Sequence, residues 1–105
     1  MTELGPAEGN PMLDWTDRPP DATFDLHGQS VAEAVTNAER FLRAQARVRR
    51  GGIVRLITGR GQGGGGAPIR TRIRGLLRTL KDSRSVVRDY VLEETEGSYL
   101  VRLVG

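Results

Sequence analysis

Apolar positions along this chain follow two different periods. Residues 22–26 and 53–57 are short apolar or β-branched runs of strand length, and 86–92 and 99–104 repeat that pattern. In the first run Phe24 and Leu26 alternate with Thr23, Asp25 and His27, the signature of a strand with one buried face. Between the runs the spacing changes. Val31, Ala34, Val35, Ala38, Phe41 and Leu42 recur at helical intervals, with Gln45 or Ala46 extending the face. Ser30 with Glu33 three residues on is a capping-box pattern, and Gly51-Gly52 is the stop. Ile69, Ile73, Leu76, Leu77 and Leu80 predict a second helix, with Pro68 in its first turn, where a missing amide hydrogen costs nothing. The acidic stretch 93–97 joins the last two strands as a hairpin turn.

The order is βαβαββ. It predicts an α/β fold, a two-layer sandwich in which a small mixed four-stranded sheet carries both helices on one face. Residues 1–21 hold four of the five prolines, two glycines and no apolar period. They read as a flexible acidic arm ahead of a domain spanning 22–105. Met12, Leu13 and Trp15 form an apolar cluster in that arm, which docks either on the domain or on another protein.

Composition narrows the class. A chain of 105 residues with 37% hydrophobic and 28% charged residues builds one soluble domain around one core. No apolar run approaches the ~18 residues of a membrane span, and no secretory pattern opens the chain. Cysteine is absent, which excludes disulfides and thiolate metal sites. A cytoplasmic monomer with no membrane partner is the expectation.

The net charge of +3 conceals an asymmetry. Residues 1–21 contain five acids and one base, whereas residues 40–88 contain fourteen Arg or Lys and one acid, Asp82. Fifteen of the sixteen bases are arginine, whose planar fork suits phosphate. Genomic composition accounts for Arg over Lys but not for the loss of acids from the same segment. A polyanion partner follows.

Three constellations can carry chemistry. Asp25 and His27 stand two residues apart at the end of the first strand, and the latter is the only histidine. An imidazole both accepts and donates protons near neutrality. Asp25 can orient it, bind a metal ion, or itself serve as the base; the alternative role for both is to organise a turn. Thr58, Gly59, Arg60 and Gly61 open a glycine-rich bend between the second strand and second helix, with amides suited to phosphate oxygens. Residues 59–64 also match G-x-G-x-x-G, but at the second βα junction of a chain with too few strands for a dinucleotide fold. The third is a cationic surface. Arg43, Arg47 and Arg50 come from the first helix, and Arg70, Arg74, Arg78 and Lys81 from the second. With five aromatic residues, two of them placed in the core, backbone or shape recognition is expected over base stacking.

Together these features resemble the Smr (small MutS-related) domain, here in its stand-alone bacterial form. The family's first motif, Leu-Asp-x-His-Gly, stands as Phe24-Asp25-Leu26-His27-Gly28. Its second, His-Gly-x-Gly or Thr-Gly-x-Gly, stands as Thr58-Gly59-Arg60-Gly61, over a resemblance covering about residues 22–104. The resemblance implies a sandwich similar to the C-terminal domain of bacterial translation initiation factor three. It also implies endonuclease activity, DNA nicking in some members and RNA cleavage in others, including on stalled ribosomes. Asp25 and His27 map onto the family's acid–histidine pair, and Gly59 and Gly61 onto its glycine loop. Thr58 replaces the second histidine of some members. The expectation is a nucleic-acid endonuclease favouring RNA, needing no cofactor for RNA cleavage and Mg²⁺ held by Asp25 for DNA nicking. The competing reading is a module that binds nucleic acid or ribosomes without cleaving.

Overall fold

Four strands and two long helices alternate in a computed structural model of the chain, which describes residues 14–59 and 66–105. Strand β1 (Ala22–Asp25) leads into helix α1 (Val31–Val48), then β2 (Ile53–Ile57), α2 (Gly66–Asp82), β3 (Val87–Leu92) and β4 (Ser98–Leu103). The sheet order is β1-β2-β4-β3. Strand β1 pairs parallel to β2, while β4 runs antiparallel to both β2 and β3. Both helical crossovers thus step the same way across the sheet, which lays α1 and α2 side by side on one face. The mixed α/β sandwich is the one expected.

The core lies between that face and the helices. Leu26, Val54, Leu56, Tyr99, Val101 and Leu103 face Ala34, Ala38, Leu42, Ile73 and Leu77. Ser30 caps α1 as its side chain predicts, accepting from the Glu33 amide while the Glu33 carboxylate accepts from the Ser30 amide. That amide bond is the main cause holding the Glu33 carboxyl below its ordinary pKa. The glycine pair ends α1 for a steric reason. A Cβ on Gly52 would stand 2.8 Å from the Arg49 carbonyl oxygen. Strand β4 begins one residue earlier than its apolar run, because Ser98 pairs with Ile57 and closes the hairpin by accepting from the Glu93 amide.

The opposite sheet face carries no helix, yet Ile53 and Leu100 are buried there. The end of the arm lies against Leu100 and extends the β1–β2 pairing at Ile53. Asp21 bonds to Ile53 through both its amide and its carboxylate, and Thr16 and Asp17 share a shallow groove with Val91 and Leu100. A short 3-10 turn at Trp15–Asp17, capped by Asp14, precedes that contact. Of the apolar cluster, Met12 and Leu13 lie outside the described residues, and Trp15 is half-buried.

On the same open face Arg55 grips Glu93 with two nitrogens at 2.8 and 2.9 Å, and Ser98 donates to the same carboxylate. The Arg55 bond is the largest influence lowering the Glu93 pKa, and its partner's is raised.

Candidate functional site

The register puts two sets of residues at opposite ends of the sheet. Asp25 pairs with Ile57, and Ile57 with Ser98, so the ends of β1 and β2 and the β3–β4 turn meet at one end. The starts of β2 and β3 meet the finish of β4 at the other end.

At the first end, β1 stops at Asp25 and His27 lies in the turn beyond it. The strand alternation that would set His27 on one face with Asp25 therefore stops short of it. The Asp25 carboxylate instead accepts a 2.8 Å bond from the His27 backbone amide, an Asx-type turn that fixes the chain reversal. No hydrogen bond among the described residues joins that carboxylate to the imidazole. Gly28 follows at φ 87°, a left-handed conformation with open space where a Cβ would stand. Asp25 and His27 are both exposed, while Leu26 between them is fully buried. The turn is pinned from below and presents an acid and an imidazole to solvent.

Strand β2 ends beside this turn, the Leu26 amide donating to the Ile57 carbonyl at 2.7 Å. Thr58 is fully buried; its hydroxyl faces the carbonyls of Gly59 and Gly97. The amides of Thr58 and Gly59 both donate to the Gly97 carbonyl, at 2.8 and 3.0 Å. Neither residue offers a spare amide to phosphate, contrary to expectation; they anchor the base of the loop against the hairpin. Arg60 and Gly61 lie outside the described residues.

The cationic surface is not one patch. Arg70 reaches the hairpin, donating to the Glu96 carbonyl at 2.8 Å. Arg74 and Arg78 continue down α2, both exposed. Lys81, at the far end, pairs with Asp89 at 3.1 Å and stands over the Tyr90 ring. Arg43 is paired with Glu39 at 2.8 Å, and Arg47 and Arg50 lie at the C-terminal end of α1. Most of these cations sit along or beyond the helices, away from the Asp25–His27 turn. Tyr99, one of three aromatics left for base stacking, is only 2% exposed and packs edge-on to Tyr90. Burial raises its pKa. Arg84, between α2 and β3, and Arg88, in β3, lie off the helical repeat that marks the other cations. Their place in an acid-poor segment was the available signal.

For a cation, Asp25 is the one carboxylate at the turn among the described residues. No group of three His, Asp or Glu able to hold a metal ion occurs among the described residues. Mg²⁺ would find a single carboxylate here, one of whose oxygens already accepts from a backbone amide. No helix among the described residues is long and apolar enough to cross a membrane.

The Smr domain family model matches residues 24–104. Among solved structures, the chain is similar to the Smr domain of Thermus thermophilus MutS2, with 25% identity and a TM-score of 0.65. That similarity covers 80% of this chain and 99% of the other. No curated protein matches.

Proposed function

This chain belongs to the Smr domain family, associated with nicking endonucleases and nucleic-acid binding, and from that premise we propose that it is an endonuclease cutting RNA in preference to DNA. The observation that carries the reading is the exposed Asp25–His27 turn, braced by buried Leu26, at the joined ends of β1 and β2. An acid and an imidazole within two residues supply a proton acceptor and a donor without further machinery.

In RNA the nucleophile is already in the substrate. His27 or Asp25 takes the proton from a 2′-hydroxyl, whose oxygen attacks the adjacent phosphorus. The bond to the 5′-oxygen breaks, and the protonated partner returns a proton to that leaving oxygen. The products are a 2′,3′-cyclic phosphate and a 5′-hydroxyl, and the sequence needs no cofactor. Asp25 has a second task, since its carboxylate holds the turn through the His27 amide. DNA lacks the 2′-hydroxyl and would require an activated water; Mg²⁺ held by Asp25 would supply that activation.

Incubation of the protein with mixed RNA and DNA, with and without EDTA, tests the proposal. Cyclic phosphate ends resistant to EDTA are expected, and their loss in Asp25→Asn and His27→Ala. Strict Mg²⁺ dependence with DNA nicks would instead favour the water mechanism. Intact nucleic acid under all conditions would leave binding alone, a role for which the cationic surface suffices.

A further inference from the structure

A strongly basic concavity lies not at the Asp25–His27 turn but at the other end of the sheet. A cleft of about 670 Å³ is lined there by Arg43 and Arg47 of α1, Arg50 just beyond it, Ser85 and Val86 ahead of β3, and Val104 beyond β4. A second, of about 420 Å³, lies across Val104 and is lined by Lys81, Arg84 and Arg88. The two clefts meet at Val104, which lines both and whose amide donates to the carbonyl of buried Val86 in the first; together they are the trough considered below.

We infer that this trough is a binding site for the phosphodiester backbone of a nucleic acid, separate from the candidate catalytic turn. The inference rests on the nucleic-acid reading above but requires no cleavage.

Helix ends offer a simpler reason for cations here. Both α1 and α2 finish at this end, and each carries about half a negative charge at its C-terminus. Two such ends call for about one compensating cation. The region holds Arg47, Arg49, Arg50, Lys81, Arg84 and Arg88, against Asp21, Asp82 and Asp89. Lys81 is paired with Asp89, and Arg49 bonds to Gln45. The guanidinium groups of Arg47, Arg50, Arg84 and Arg88 are exposed and have no partner among the described residues. Dipole compensation does not account for four free arginines, two lining each of these adjoining clefts. Arginine also presents several donors in a fork matched to phosphate oxygens.

Arg84 adds a second argument. It sits at φ 57°, in the left-handed turn that ends α2, where the Ser85 amide bonds back to the Leu80 carbonyl. Glycine is the favoured residue for that position and arginine is strained in it. The side chain is held at the edge of the trough despite the backbone cost.

That strain yields a test that misfolding cannot imitate. Arg84→Gly removes the guanidinium while relieving the backbone, so its Tm is expected to match or exceed wild type. Its affinity for a labelled homopolymeric RNA strand, or a DNA duplex in a parallel arm, is expected to fall about three- to tenfold. The slope of log affinity against log salt should drop by about one. Arg47→Ala with Arg50→Ala, both exposed at the C-terminal end of α1, should lower that slope by about two. Arg18→Ala loses the same unit charge as Arg84→Gly from the arm, and should leave both readouts near wild type. Equal weakening in Arg84→Gly and Arg18→Ala would reduce the effect to net charge and overturn the trough. Unchanged binding in both trough variants would overturn it too. Cleavage distinguishes this from the nuclease proposal: trough variants that bind normally while His27→Ala abolishes cutting sink the trough alone. Weakened binding in a protein that never cuts sinks the nuclease alone.

Discussion

Asp25 does two things, and conservative substitution separates them. Asparagine keeps an oxygen able to accept from the His27 amide but loses the charge and the basicity. Asp25→Asn should therefore retain the wild-type Tm and lose RNA cleavage by about 100-fold or more, the scale of a lost general base. Asp25→Ala should lose cleavage and also about 1 kcal/mol in urea unfolding, since the turn amide is released. Equal stability of the two variants would show that the carboxylate does not hold the turn. Thr58 is the opposite case, a motif residue whose side chain is inside. Thr58→Val keeps the volume and removes a buried hydroxyl donor, so a loss of about 0.5–1.5 kcal/mol is expected by denaturant titration. What the motif letters reveal at this scale is that Asp25, His27 and Thr58 matter. They do not reveal which face water, because burial of Thr58 depends on Gly97, thirty-nine residues away, donating nothing in sequence to mark it.

Helices were the most legible elements, because local rules specify them. The Ser30–Glu33 box, the apolar stripe of α1 and its glycine stop all stand where spacing put them. Long-range contacts were not legible. Nothing local to Arg55 or Glu93 shows that they form a two-pronged ion pair, since β2 and the β3–β4 turn meet only through the register of β4. The arm shows the same limit. Its composition does not show where it docks, yet Thr16 and Asp17 lie against Val91 and Leu100 on the helix-free face. The ion pair has a pH signature. Glu93 has its pKa lowered in the folded chain, so its contribution is complete above the unfolded value of 4.5 and disappears as pH falls through the lower folded value. Glu93→Gln should remove part of the acid-dependent loss of stability below about pH 4.5 and cost roughly 1–3 kcal/mol at neutral pH. An unfolding curve with the same acid limb in wild type and variant would reject that role.

Across the whole molecule, turn and trough occupy opposite ends of the sheet. Five-residue β2 alone separates them by about 16 Å at ~3.3 Å per residue. An RNA strand held by both must bridge at least that distance. RNA oligonucleotides too short to bridge it should bind weakly and be cut poorly, with cleavage efficiency rising steeply once the span is exceeded. Efficiency independent of length would show that the two ends do not act on one strand. The basic segment was evident in the composition; its division into separate ends came from the antiparallel insertion of β4, which no local pattern announces.

The central claim is that the acid and imidazole of one surface turn transfer the protons of phosphodiester cleavage. End-group analysis of RNA treated with wild type, Asp25→Asn and His27→Ala in EDTA measures it most directly. The account predicts 2′,3′-cyclic phosphate and 5′-hydroxyl ends from wild type alone, with all three proteins equally folded. The same ends at the same rate from His27→Ala and Asp25→Asn would contradict it.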